Sequence, residues 1–244
     1  NGFYACGSTG QGVHLSVQER KRVAEIIMEE AGTLLVIVHV GTMVTKDATE
    51  LARHAKSLGA AAISSIIPPD FASIEVITAY FSELAAATKD LPLVPYIMNP
   101  SVDMRALIEE LLQIPTVVAT KYTGASLHDI RWLTMVGERR RSDWSVFSGM
   151  DEQAMFAAMA GAAGNIGSSV NLIPGIYRAI HQNLQSGRHG AALDLQNKAG
   201  ELIEAMIPFG YPAALRLALE MIGLPCGEPR LPARRLLPEE KSKL

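Results

Sequence analysis

Two kinds of apolar pattern alternate strictly along this chain, and that alternation constrains its fold more than any other feature. Seven short runs recur: GFYACGS, LLVIVHV, AAISSII, LVPYIM, VVATKY, WSVFSG and NIGSSV. Most are rich in Val, Ile, Tyr or Phe, the composition of buried strands. Helical patterns lie between them. SVQERKRVAEIIMEEA carries Ser16 and Glu19 at capping-box spacing, then Val23, Ile26 and Ile27 as an apolar stripe. TKDATELARHAKSLG ends at Gly59, placed to terminate a helix. SIEVITAYFSELAAAT, VDMRALIEELLQ, SLHDIRWLTMVGE and DEQAMFAAMAGAAG follow suit.

Near-continuous apolar strands separated by helices require parallel crossover connections, so the expected fold class is α/β. Seven such units are one short of a (β/α)8 TIM barrel, and an open doubly wound sheet is the alternative. The chain opens directly in a strand, from which we expect a first strand and helix upstream in the natural protein. After the last strand the pattern is purely helical, through GIYRAIHQNLQSG, RHGAALDLQNKAGELIEAMI and YPAALRLALEMIG. The expected division is residues 1–186 for the barrel lacking its first βα unit, and 187–244 for C-terminal helices and tail packed on it. The Pro- and charge-rich end, GEPRLPARRLLPEEKSKL, is expected to be loosely held.

Composition narrows the function classes. With 48% hydrophobic residues in 244 there is material for a substantial core. A net charge of −3, with both signs interspersed, gives no footprint for nucleic acid. No apolar run reaches the length of a membrane span. Two cysteines, Cys6 and Cys226, make no disulfide framework and point to a reducing, cytoplasmic setting. The six histidines show neither HxH nor HExxH spacing, so neither a metal nor another cofactor is expected.

In a barrel the chemistry gathers at the C-terminal ends of the strands. VVATKYTG ends with Lys121, whose period-2 partners are Ala119 and Thr123. A lysine in an apolar strand either snorkels to water or serves as an amine of lowered pKa, suited to Schiff-base chemistry. LPLVPYIM places Tyr96 at another strand end, with Pro95 beside it as the mark of a bulge that would re-aim the tyrosine. FSGMDEQAM puts Asp151 and Glu152 at a helix start, where they would also complement the macrodipole. GSSVN holds Ser168 at the end of the last strand.

The glycine-rich turn GSTGQG, residues 7–12, has neither dinucleotide-loop nor P-loop spacing. It contains no basic side chain. Backbone N–H groups with the hydroxyls of Ser8 and Thr9 suit a single carboxylate better than a multiply charged phosphate.

Taken together, these pieces resemble the N-acetylneuraminate lyase and dihydrodipicolinate synthase family of pyruvate-dependent class I aldolases. The likeness runs from residue 2 to about 223. It is carried by GSTGQG, by HVG at 39–41, by Lys121, by GMDE at 149–152 and by GSSVN at 167–171. The resemblance implies that Lys121 forms the Schiff base with the C2 ketone of a keto acid. It further implies that Tyr96 relays the proton of the C4 hydroxyl, that Ser8 and Thr9 bind the carboxylate and that Thr123 touches the reacting hydroxyl. Gly149, Asp151, Glu152 and Ser168 match the pattern with which the sialic acid branch binds a polyhydroxyl tail. The implied reaction is cleavage of N-acetylneuraminate to pyruvate and N-acetylmannosamine, by a homotetramer acting on a small molecule.

The chain departs from the family at several points. Gln11 stands where Glu is usual, and PPDFAS is a shortened loop. YIMNPS replaces Y-x-I-P-A, so anchoring on Pro100 would put Ile97 in the tyrosine slot. The synthase branch places an Arg soon after the tyrosine, whereas here none occurs until Arg105. Two alternatives follow: a related aldolase or hydro-lyase on the same lysine chemistry, and a non-catalytic homologue that binds keto acids or sugars.

Overall fold

The computed structural model describes residues 2–243, which form two compact units, one running through Phe147 and one beginning at Ser148. The first unit alternates strand and helix. Its strands are β1 (Gly2–Ala5), β2 (Leu35–His39), β3 (Ala62–Ile66), β4 (Leu93–Ile97), β5 (Ala119–Tyr122) and most of β6 (Ser145–Ser148). Its helices are α1 (Val17–Glu30), α2 (Thr45–Ser57), α3 (Ile74–Thr88), α4 (Met104–Leu111) and α5 (Leu127–Arg140). The strands are hydrogen-bonded in chain order, and the pairs from β1 to β5 are parallel. A doubly wound sheet would reverse direction part-way, whereas a sheet wound one way throughout is the barrel topology.

Local sequence accounts for the helix starts. Ser16 and Glu19 form the expected reciprocal cap on α1, with Glu19 N donating to Ser16 Oγ at 3.2 Å and Ser16 N to Glu19 Oε2 at 2.8 Å. Ser73, Asp103 and Ser126 cap α3, α4 and α5 one way only, each side chain accepting the N–H three residues on, and such a cap is worth about 1 kcal/mol. Gly59 follows α2 at φ +81°, the left-handed conformation that turns the chain into β3. Ala62, Val94 and Ala119 fill the interior beneath the strand ends, backed by Ile37, Val118 and Phe147.

The second unit contains β7 (Gly164–Asn165), α6 (Ala154–Met159), α7 (Pro174–Gln185), α8 (His189–Met206), α9 (Tyr211–Met221) and α10 (Pro238–Lys241). Two cores hold it, one around Met155, Tyr177, Ile180 and Ala199, the other around Met206, Leu215 and Leu219. No single helix among the described residues is long and apolar enough to cross a membrane.

Two expectations need correction here. The last strand stops at Asn165, and Ser169–Asn171 form a 3-10 turn, so Ser168 precedes a turn instead of ending a strand. The cause is Asp151, whose Oδ2 takes both the N–H and the hydroxyl of Ser169, at 2.8 and 2.7 Å, and curls the chain toward itself. The C-terminal tail is tied down: Arg234 pairs with Glu240 at 2.8 Å and donates to the Phe209 carbonyl at 2.6 Å, while Leu236 is buried.

Candidate active site

Lys121 lies at the end of β5 and is 6% exposed, so it does not snorkel to solvent. Its orientation follows from the β4–β5 ladder. Leu93 pairs with Val117, but three residues later Tyr96 pairs with Lys121, so four steps on β5 match three on β4. The extra residue therefore sits on β5, where a bulge on β4 was expected. Pro95 has no N–H to give the ladder at this point, and its carbonyl instead accepts from Thr120 Oγ1 at 3.0 Å. On the other side Pro95 keeps regular register with Ser65.

The slip brings Lys121 and Tyr96 side by side. Lys121 Nζ lies 3.8 Å from the centroid of the Tyr96 ring and 4.7 Å from that of Tyr4. Thr123 Oγ1 donates to the Tyr96 hydroxyl at 3.3 Å, and that hydroxyl donates to Met98 Sδ at 3.6 Å. Ile97, the other candidate for the tyrosine slot, is fully buried and pairs with Tyr122. Tyr4 belongs to this cluster although sequence reading passed it over. Its hydroxyl shares a 2.8 Å hydrogen bond with Ser64 Oγ, which in turn donates to the Val94 carbonyl at 2.6 Å. Burial raises the Tyr4 phenol far above its ordinary value.

The GSTGQG turn starts from the C-terminal end of β1. Gln11 N donates to Ser8 O at 3.0 Å and Gly12 N to Gly7 O at 3.1 Å, which closes the turn and leaves Ser8 and Thr9 at the surface. Gly12 is obligatory, since a Cβ there would stand 1.9 Å from the Cys6 carbonyl oxygen. His39, at the end of β2, anchors the turn. Its Nε2 accepts from Ile66 N–H at 3.0 Å, Arg20 Nη2 lies 3.4 Å from its Nδ1, and the ring is also hydrogen-bonded to the Cys6 backbone. Burial, then the Arg20 and Lys121 charges, lower the His39 pKa to about 3 and keep it neutral. Arg20, itself buried, donates to the carbonyls of His39 and Gly41 at 2.5 and 2.9 Å. A cleft of about 780 Å³ opens beside these residues, with Ser8, Arg20, His39, Ile66 and Met98 among its walls. That volume is in the range of small-molecule sites.

In the second unit Asp151 is buried and Glu152 exposed on a 3-10 turn, Asp151–Gln153. Ser169 Oγ, besides serving Asp151, lies 2.6 Å from the Tyr177 hydroxyl. Gly167 makes room for the carboxylate, because a Cβ there would be 1.7 Å from Asp151 Oδ1. Gly149 and Ser168 are both half-buried. Sequence reading singled out Lys121, Tyr96, Thr123, Ser8 and Thr9 in the first unit and Gly149, Asp151, Glu152 and Ser168 in the second. It missed Tyr4, Arg20, Ser64, Ser169 and Gln196, whose amide bonds the backbone of Asp151, Glu152 and Met155. A buried arginine or glutamine within an amphipathic helix looks like any surface residue until its contacts are known.

Comparison with known proteins gives one consistent result. The model of the dihydrodipicolinate synthetase family matches residues 1–244. The chain is 35% identical over 248 aligned positions to an N-acetylneuraminate lyase of Danio rerio, covering 97% of this chain and 79% of that protein. It is 33% identical to an N-acetylneuraminate lyase of Rhizobium meliloti (strain 1021), over 97% of this chain and 79% of that protein. Among solved structures, the sialic acid aldolase of Ruminococcus gnavus superposes with a TM-score of 0.93 at 31% identity, covering 99% of this chain and 82% of that one. A catalytic lysine mutant of the same Ruminococcus gnavus enzyme matches with a TM-score of 0.94 over 99% of this chain and 81% of that one. The fold class is therefore that of the (β/α)8 barrel aldolases.

Proposed function

The chain belongs to the dihydrodipicolinate synthetase family, and on that premise we propose that it is a Schiff-base aldolase cleaving N-acetylneuraminate to pyruvate and N-acetylmannosamine. The observation that carries this reading is the buried Lys121, its amine 3.8 Å from the ring of a tyrosine whose hydroxyl is bonded to Thr123. The chemistry follows from those groups. The Lys121 amine adds to the C2 ketone, and the carbonyl oxygen leaves as water, giving an iminium that acts as an electron sink for the C3–C4 bond. Tyr96 takes the C4 hydroxyl proton and passes it to the substrate carboxylate. The bond electrons flow to nitrogen, the aldehyde sugar departs, and the enamine is protonated at C3 and hydrolysed to pyruvate.

Ser8 and Thr9 bind the carboxylate in this scheme, and Thr123 orients the Tyr96 hydroxyl. Gly149, Asp151, Glu152 and Ser168 take the polyhydroxyl tail, because carboxylates accept paired hydrogen bonds from neighbouring hydroxyls. The same reading makes the protein a cytoplasmic homotetramer that needs no cofactor. A synthase acting on a second carboxylate is disfavoured, because Arg105 is engaged elsewhere: its guanidinium lies 5.3 Å from the Trp132 ring centroid and its Nη2 2.9 Å from His128 Nε2.

Borohydride reduction in the presence of pyruvate tests the proposal. The expected result is an adduct on the peptide containing Lys121, absent from Lys121→Met, with pyruvate released from N-acetylneuraminate by the unmodified enzyme. A folded protein that traps nothing would refute the aldolase reading, and one that traps pyruvate without cleaving N-acetylneuraminate would refute the substrate.

A further inference from the structure

Gln196 lies in the middle of α8, on the stripe formed by Ala192, Ala199 and Ile203, and is 3% exposed. A leucine or methionine would continue that apolar stripe, whereas an amide there costs free energy unless every polar atom is bonded. Here it is fully bonded, to the 3-10 turn Asp151–Gln153 and to the start of α6 that follows it. Its Nε2 donates to the backbone carbonyls of Asp151 and Glu152 at 3.0 and 3.1 Å. Its Oε1 accepts from the Met155 N–H at 2.8 Å. Both amide protons are thus spent on the turn that carries the two adjacent carboxylates, and the amide oxygen on the helix that continues from it. Ser169 fixes the same turn from the side-chain direction, through Asp151 Oδ2.

Asp151–Gln153 is a single 3-10 turn whose own cap, Met150, provides no side-chain bond. Short 3-10 segments have poor internal hydrogen-bond geometry and take their orientation from what surrounds them. We propose that Gln196 is a specificity-positioning residue. It fixes the direction in which Asp151 and Glu152 meet a polyhydroxylated substrate tail, and so sets from α8 the preference for long keto acids over short ones. It acts through the turn and binds no substrate atom itself. The inference rests on the aldolase reading and on the tail-binding role of the two carboxylates.

Three measurements on the full chain, in wild type, Gln196→Met and Gln196→Glu, test it. These are trapping of pyruvate on Lys121, KM and kcat for N-acetylneuraminate, and cleavage of a six-carbon 2-keto-3-deoxy acid with a shorter tail. Gln196→Met keeps the shape of the side chain and removes all three bonds. Gln196→Glu keeps the acceptor for Met155 and loses both donors, so it serves the same comparison if the methionine variant does not fold. Misplacing a substrate-binding group by about an ångström costs up to about a hundredfold. We therefore expect KM for N-acetylneuraminate to rise about tenfold to a hundredfold, with kcat, pyruvate trapping and the shorter acid within about threefold of wild type. Unchanged KM in a folded variant, or an equal loss on both substrates and in trapping, overturns the inference alone. A wild type that traps no pyruvate overturns the aldolase reading and the inference with it.

Discussion

Replacing Tyr96 by phenylalanine separates the two things that this side chain does. The ring, 3.8 Å from Lys121 Nζ, is retained, and only the hydroxyl with its bonds to Thr123 and Met98 is lost. Those bonds are long, 3.3 and 3.6 Å, so their removal costs the fold no more than about 1 kcal/mol. The effect on turnover is far larger if the hydroxyl relays the C4 proton. A positioned general base is worth about a hundred- to ten-thousand-fold, or about 3–5 kcal/mol of barrier. Imine formation with pyruvate requires no C4 hydroxyl, so borohydride trapping on Lys121 should stay within about twofold, while kcat for N-acetylneuraminate falls at least a hundredfold. Ile97→Val is the control, because Ile97 is fully buried on the other face of β4. It should lose about 1 kcal/mol of stability and no activity. A Tyr96→Phe enzyme with kcat within tenfold of wild type would show that the proton takes another route, and Tyr96 would have no catalytic role.

Three further outcomes can be measured with the same protein. His39 has its pKa lowered from about 6.5 to about 3; below pH 6.5 the unfolded chain binds a proton that the folded site refuses. Stability is therefore complete above pH 6.5 and declines as the pH falls toward 3, by about 1.4 kcal/mol per pH unit. Urea unfolding at pH 7.5 and pH 5 should show a loss of about 2 kcal/mol in wild type that His39→Gln lacks, and equal losses would contradict the assignment. Gly137→Ala would place a methyl 2.0 Å from Trp144 Cδ1 and push the indole off its 2.9 Å bond to the Leu133 carbonyl. Urea unfolding should then show a destabilisation of about 1–3 kcal/mol. Gly167→Ala would set a methyl 1.7 Å from Asp151 Oδ1 and expel the carboxylate from Ser169. Cleavage assays should show a raised KM for N-acetylneuraminate with pyruvate trapping intact; an unaltered KM would remove Asp151 from tail binding.

The barrel class was legible because its signals are local and repeat. Each strand is a short apolar run bounded by a helix start, and Ser16, Ser73, Asp103 and Ser126 announce four of those starts in their own side chains. Lys121 was legible for a different reason, since a lysine within an apolar strand conflicts with its surroundings and requires an explanation. The supports of the site were not legible. Tyr4, Ser64 and Arg20 act over separations of tens of residues, and nothing in the neighbouring sequence distinguishes Tyr4 from a packing aromatic. The end of β7 was misread because Ser168 and Ser169 look like strand or loop residues alike. What decides is the carboxylate of Asp151, eighteen positions before Ser169.

Pro95 shows how a residue that fits its strand badly shapes the site. If the Leu93–Val117 register continued unbroken, Tyr96 would face Thr120, and Lys121 would pair with Ile97. Ile97 lies on the face turned to the helices and is fully buried. An amine on that side would stand among apolar side chains with no polar partner, at a cost of several kcal/mol. A slip of one residue reverses which side chains face inward. It is least costly where the ladder already lacks a donor, and Pro95 supplies that gap. The extra residue on β5 therefore turns Lys121 inward to Tyr96 and leaves Tyr122 opposite Ile97, where its hydroxyl donates to Asp129 Oδ2 at 3.1 Å. The proline and the lysine are 26 positions apart in sequence, and the direction in which the amine points is set by the backbone of one acting on the register of the other.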